Sequence, residues 1–296
     1  MQQTIETSAL SLSCHIDGPH WGLPMVLLDG WPDDWRTWNK LLPSLQEAGY
    51  RTIVPSLRGF GETRFKNEHA FRSGEMTAIA EDTIELAHAL DLDRFALVGH
   101  DWGARAAYIV ASQHGQRLTH CIALSVGYAA LDPNKEIGLV QIERYWYQWY
   151  LALPQGERLL REKRTELAEH AWRTWSPSWH FSEVEFRLTG QSFNNPDWAE
   201  ITVHSYRHRW GIAEGDPDYA GIEAFMNPAP PIAVPTLVIH GAEDRATLPE
   251  SSEGKQGLFP GRYQRISDTF LSAKPPKRSL AGFSTSSPAM TATCGL

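Results

Sequence analysis

The chain has 296 residues, of which 42% are hydrophobic and 21% charged, a balance that suits one large globular domain or a domain carrying an insertion. A net charge of −8 without a dense basic cluster excludes the usual footprint of a nucleic-acid partner. No apolar run reaches membrane-spanning length, Met1 to Cys14 lacks the basic and apolar regions of a signal peptide, and the 3 cysteines show neither disulfide nor zinc spacing. The expectation is a cytoplasmic protein, monomer or homodimer, with no membrane or nucleic-acid partner, no cofactor and no metal.

Residues 8–16 alternate apolar and polar, which predicts a half-exposed antiparallel strand. Met25-Val26-Leu27-Leu28 is short and uniformly apolar, as a strand covered on both faces requires, and Asp29-Gly30-Trp31-Pro32 ends it. A helix is predicted from Trp35 to Ala48 with Gly49 as its C-cap. A strand follows from Arg51 to Pro55, then Arg58-Gly59-Phe60-Gly61, a helix from Met76 to Leu90 and a strand from Arg94 to Val98. Gly99-His100-Asp101-Trp102-Gly103 leads into a helix from Ala104 to Gln113 and a buried strand from Leu118 to Val126. This alternation predicts an α/β fold, with a mostly parallel central sheet flanked by helices.

The rhythm changes after Gly127. From residue 130 to about 225 there is no buried strand, only helical stretches such as Glu136 to Leu153 and Leu159 to Trp175, which predicts an all-helical insertion. Tryptophans, 12 in the whole chain, crowd between Trp146 and Trp210, which suits a large core or an apolar pocket. Pro228 to Pro235 is a stiff return, Thr236 to His240 is one more buried strand, and Arg262 to Ile266 is the last. The expected division is a core of residues 1–128 and 228–267, a helical cap of 129–227 and a tail of 268–296.

Gly99-His100-Asp101-Trp102-Gly103 is a nucleophile-elbow pattern with Asp where serine hydrolases carry Ser. Its glycines relieve the crowding of a strained strand-to-helix turn, and the first free N–H groups of the helix would stabilise a carboxylate there. The plainer alternative is that Asp101 only caps the helix.

Four blocks stand in order at the ends of successive strands: Gly30-Trp31-Pro32, Arg58-Gly59-Phe60-Gly61, Gly99-His100-Asp101-Trp102-Gly103 and His240-Gly241-Ala242-Glu243-Asp244. On these blocks, residues 8 to about 267 resemble the α/β-hydrolase superfamily, and within it the epoxide hydrolase and haloalkane dehalogenase branch. The resemblance implies an α/β-hydrolase fold with a helical cap and a small apolar epoxide or organohalide as substrate. It further implies attack by Asp101 on a saturated carbon, leaving an alkyl ester on the enzyme. Water then attacks that ester, so the oxyanion develops on Asp101 itself, and the resemblance assigns the two N–H donors of the oxyanion hole to Trp31 and Trp102.

An epoxide oxygen leaves as an alkoxide and needs an O–H donor, whereas a halide does not. Tyr147-Gln148 and Tyr206-Arg207 resemble the motifs that carry the two cap tyrosines of epoxide hydrolases, although Tyr147 also reads as one packed aromatic among several. With Trp31 where dehalogenases often carry Asn, the tyrosines point to the epoxide branch rather than to a haloalkane or haloacid dehalogenase. Asp244 stands where the family has its charge-relay acid; as a plain turn residue it would pair with Arg245.

Two departures alter the expectation. Asp29 replaces a family histidine, which predicts added negative charge near the site and a weaker oxyanion hole. No histidine follows His240, where the family has its catalytic base; His240 is expected to point away from a relay, and His100, His204 and His208 do not substitute for it. The tail from Asp268 is rich in Ser, Thr, Pro and Lys, offers no amphipathic run for the family's closing helix, and is expected to be aberrant and disordered. Read in the frame starting at the third base of the Asp268 codon, suitable codons would give His-Phe-Pro-Phe-Arg-Glu-Ala-Pro-Glu, which predicts a frameshift, natural or from sequencing. The expected behaviour is one self-alkylation followed by a stall, because ester hydrolysis needs the missing general base. The reading from another class is a non-catalytic small-molecule-binding protein.

Overall fold

A computed structural model describes residues 1–129 and 136–268. The short apolar runs lie side by side in one sheet. Its strands are β1 (Gln2–Glu6), β2 (Leu10–Asp17), β3 (Leu23–Leu28), β4 (Tyr50–Pro55), β5 (Arg64–Phe65), β6 (Phe95–His100), β7 (Leu118–Leu124), β8 (Thr236–Gly241) and β9 (Tyr263–Asp268). The order is β1-β2-β4-β3-β6-β7-β8-β9, with β5 paired to β2. From β4 through β3 to β9 every neighbour is parallel, while β1 and β2 run antiparallel at one edge. This is the α/β-hydrolase fold.

Helices cover both faces, which is why the parallel strands read as unbroken apolar runs. Val26, Leu28 and Leu97 pack with Ile79, Leu86, Ala106 and Val110 of α2 (Met76–Ala89) and α3 (Trp102–Gln113). Their strand neighbours Met25, Leu27 and Val98 pack on the other face with Trp38 and with Leu45 of α1 (Leu42–Glu47). The single helix expected from Trp35 to Ala48 is divided into a 3-10 turn, Trp35–Trp38, and α1. Pro43 stands in the first turn of α1, where its fixed φ and missing N–H start a helix and cannot continue one. The strand expected to be half exposed is mostly buried as β2, because β1 and β5 also pair with it.

Between β7 and β8 the chain runs through α4 (Leu139–Arg144), α5 (Trp146–Ala152), α6 (Pro154–Glu162), α7 (Arg164–Trp175), α8 (Glu183–Gly190), α9 (Trp198–Arg209) and α10 (Ala220–Met226). The long helices expected there are broken at Tyr145 and at Lys163, whose φ of −135° leaves the helical region. This helical segment is tied to the sheet's carboxyl edge. Trp31 Nε1 donates to Thr202 Oγ1 at 3.1 Å, Trp172 Nε1 to Pro32 O at 2.8 Å, and the Gly74 N–H to His204 Nδ1 at 2.9 Å. Arg58 serves the scaffold: its guanidinium grips both carboxylate oxygens of Asp82 on α2 at 2.7 Å and bonds the carbonyls of Ser73 and Ala78. No helix among the described residues is long and apolar enough to cross a membrane. The tail beyond Asp268, with the disorder and the lost helix expected of it, lies outside the described residues.

Candidate active site

Asp101 occupies the turn between β6 and α3 with φ 50° and ψ −106°, a conformation that costs an L residue about 1–3 kcal/mol. Close approach of glycines permits it. A Cβ on Gly30 would meet the Asp101 Cβ at 2.5 Å and its Oδ1 at 3.0 Å, and one on Gly103 would meet the Leu28 carbonyl oxygen at 2.5 Å. The backbone is held by the Asp101 N–H on Leu124 O at 3.3 Å and the Gly103 N–H on Asp29 O at 2.9 Å.

The side chain of Asp101 makes no capping hydrogen bond to α3; its Oδ1 accepts the Trp31 N–H at 3.1 Å. Trp102 opens α3 directly after it, so its N–H is among those with no intrahelical acceptor. The buried Trp102 ring packs on Phe60 and Tyr206 at centroid distances of 6.2 and 6.1 Å. Of the two N–H donors expected, that of Trp31 is bonded to this carboxylate, and that of Trp102 belongs to the next residue along the chain.

Above this carboxylate is a cavity of about 80 Å³, open to solvent. The sheet edge contributes Asp101, His100 and Asp244, the loop after β3 contributes Trp31 and Asp33, and the helical segment contributes Tyr147 with Trp172, Trp175 and Trp179. Tyr206 is not on its wall. Buried to 1% exposure, it stands edge-on to Tyr147 and to Trp31, each at 5.6 Å between ring centroids. Trp31 also stacks on Tyr147 at 5.7 Å and on Trp198 at 6.0 Å, so a single side chain from the β3 loop joins the aromatic helices to the elbow.

The Tyr147 oxygen accepts from Gln148 Nε2 at 2.9 Å, which leaves its own proton free to be given away. Burial, followed by the charge of Asp101, pushes the Tyr147 phenol up and keeps it protonated. Burial likewise pushes Tyr206 well up, with Tyr147 the next cause. Burial and the neighbouring Asp34 push the Asp33 carboxyl up to about 8.

Asp244 ends the turn after β8, where its Oδ1 accepts the N–H groups of Ala246 at 2.8 Å and Thr247 at 3.1 Å. Arg245 forms no ion pair with it among the described residues; the Arg245 N–H donates instead to Trp175 O at 3.2 Å. His240 reaches Asp244 after all, its Nε2 lying 3.5 Å from Oδ2. It is nonetheless fully buried and off the cavity, with Nε2 2.9 Å from Thr247 O and Nδ1 3.1 Å from Ser252 Oγ. Both ring nitrogens are thereby engaged. His100 does line the cavity; burial lowers its pKa, and its Nδ1 has no hydrogen-bond partner among the described residues.

The expectation for Asp29 is overturned. The side chain is 0% exposed, both carboxyl oxygens lack a hydrogen-bond partner among the described residues, and burial, then Asp34 and Asp33, raise its pKa well above the ordinary 3.8. Burial thus favours the neutral form of Asp29 and opposes the negative charge expected beside the oxyanion donors. Gln148, quoted in the sequence only as the neighbour of Tyr147, was given no role there, and Trp175 and Thr202 were passed over as site residues. The crowding of tryptophans signalled Trp175, and nothing local signals Thr202.

The profile of a family described as alpha/beta hydrolase fold matches residues 24–270. Epoxide hydrolase B of Mycobacterium tuberculosis is 30% identical over 147 residues, spanning 45% of this chain and 40% of that protein. Epoxide hydrolase 3 of Xenopus tropicalis is 35% identical over 242 residues, 79% of this chain and 63% of that one. The chain thus spans less than two thirds of the length of these curated relatives. A crystal structure from Klebsiella pneumoniae, provisionally assigned as an epoxide hydrolase, is 36% identical with a TM-score of 0.86, covering 90% of this chain and 88% of that one.

Proposed function

The chain belongs to the alpha/beta hydrolase fold family and is epoxide hydrolase-like, and on that premise we propose that it opens small apolar epoxides through an ester on Asp101. The Asp101 carboxylate attacks one ring carbon, the C–O bond breaks, and its electron pair passes to the ring oxygen. That oxygen takes a proton from a tyrosine hydroxyl, Tyr147 being the nearer to the cavity and Tyr206 its partner. The products are a hydroxyalkyl ester on Asp101 and a tyrosinate, which water reprotonates. Trp31 and Trp102 N–H groups would receive the oxyanion when water attacks the ester. The helical segment of residues 129–227 acts as the cap that supplies the aromatic walls and the proton.

One observation carries this reading: Asp101, bonded to the Trp31 N–H instead of capping its helix, shares a cavity with Tyr147 and Asp244. Hydrolysis of the ester is the weak step. Asp244 has the relay position, but no histidine follows His240 in the sequence and both His240 nitrogens are engaged. The chain therefore alkylates itself and stalls.

Incubation with styrene oxide, then intact-mass measurement and peptide mapping, tests both parts. The expected result is a stable adduct of one epoxide on Asp101, absent from Asp101→Asn. Rapid conversion of many equivalents to diol would overturn the stall, and tight epoxide binding with neither adduct nor diol would overturn the reaction.

A further inference from the structure

Arg209 is a cation in an odd place. It ends α9, half-buried, and forms no ion pair with a carboxylate among the described residues. Its Nη2 is buried without a hydrogen-bond partner, and Arg105 on α3 adds like charge nearby. Burial and Arg105 both lower its pKa from the ordinary 12.5, yet a guanidinium stays charged under such pressure. An unpaired, partly desolvated charge is costly, so its surroundings show what offsets it.

Those surroundings are first the two tyrosines and then the more weakly felt carboxylate of Asp101. The Arg209 guanidinium carbon lies 5.3 Å from the Tyr206 ring centroid, over the ring of the residue one turn earlier on α9. Arg209 Nη1 donates to Gln148 Oε1 at 3.4 Å, and Gln148 Nε2 donates to the Tyr147 oxygen at 2.9 Å. The amide orientation is settled by this pair of contacts. Flipped, Gln148 would turn its NH2 towards a guanidinium that can only donate. The amide thus relays the positive charge to the phenol oxygen, and the two helices, packed on each other, bring it to both tyrosines at once.

We propose that Arg209 is a positioning residue for epoxide opening: over the Tyr206 ring and through Gln148 to Tyr147, it stabilises the negative charge that proton donation leaves on the tyrosine pair. The inference rests on the epoxide-opening reading above. A cation attracts a phenolate more strongly than a neutral phenol, so the stabilisation grows as the proton moves to the ring oxygen and lowers the barrier instead of tightening substrate binding. The charged and titratable groups facing the pair are consistent with this assignment. Asp101 from the elbow and Tyr145 from the break between α4 and α5 oppose ionisation of Tyr147, and Arg209 eases it for both tyrosines.

The experiment uses the full chain with styrene oxide, following adduct formation on Asp101 in a single turnover across pH. Arg209→Met is expected to slow alkylation about 10-fold or more, equivalent to at least one unit in the donor's acidity, with the concentration for half-maximal rate unchanged. Arg209→Lys should recover part of that loss. A second readout is independent of turnover: Tyr147→trifluorotyrosine brings the phenol into an accessible range, and its fluorine resonance should titrate at higher pH when Arg209→Met is added. A folded Arg209→Met chain with wild-type alkylation overturns the proposal. So does slower alkylation with an unmoved fluorine titration, which would make Arg209 a packing residue only. If the unaltered chain forms no adduct, the epoxide reading fails, and the fluorine titration alone decides whether Arg209 acts on the tyrosines.

Discussion

Asp29→Asn tests whether burial has turned an expected negative charge into a neutral acid. The side chain is fully buried, neither oxygen has a partner among the described residues, and Asp34 and Asp33 disfavour ionisation further. In the unfolded chain the carboxyl ionises at its ordinary value of 3.8; in the folded chain it ionises well above that. Between those two points the folded chain holds a proton that the unfolded chain has released, so rising pH favours unfolding. The associated stability is fully present below the unfolded value and is lost at about 1.4 kcal/mol per pH unit until the folded carboxyl ionises. Asn cannot ionise and lacks this term. Against a typical total of about 5–15 kcal/mol the slope is large enough to measure by urea unfolding of both proteins at successive pH values. The variant's relative stability should rise steadily above about pH 4 and level off at the folded ionisation. A difference independent of pH would mean that Asp29 is ionised or hydrated in the folded chain, and the argument for an uncharged oxyanion loop would fall.

Removing the Tyr147 hydroxyl in Tyr147→Phe should slow alkylation of Asp101 about 100-fold, read by mass spectrometry, while epoxide binding persists. Gly30→Ala would force a Cβ to 2.5 Å from the Asp101 Cβ and 2.9 Å from the His100 carbonyl oxygen, so the elbow must shift. The expected outcome is loss of adduct together with about 1–3 kcal/mol of destabilisation in a denaturant titration. Asp82→Asn leaves the buried Arg58 guanidinium without its counter-charge, and should cost about 3–5 kcal/mol by the same measurement.

The chain's own pattern was enough for the elbow and for seven of the sheet's strands, but not for the edge strand β1 or the short β5. Strands buried on both faces must be short apolar runs, and a strained turn pressed against a neighbouring strand end needs glycine at Gly30 and Gly103, so both leave local marks. The order of the blocks then located Asp101 and Asp244 at the carboxyl edge. Helix boundaries were less legible where Pro43, Tyr145 and Lys163 divide runs that look continuous by periodicity alone.

The sequence by itself determined an α/β sheet with an aspartate at its sharpest bend and a helical segment returning over it. Tertiary packing alone decided that Asp29 is buried without a partner, that His240 touches Asp244 with no nitrogen to spare, that Tyr206 stands off the cavity wall, and that Arg209 faces the tyrosines. The reason is physical: a residue's charge and its neighbours depend on which distant segments exclude water from it. That is settled when α5, α7 and α9 dock on the loop after β3, and no spacing along the chain records it.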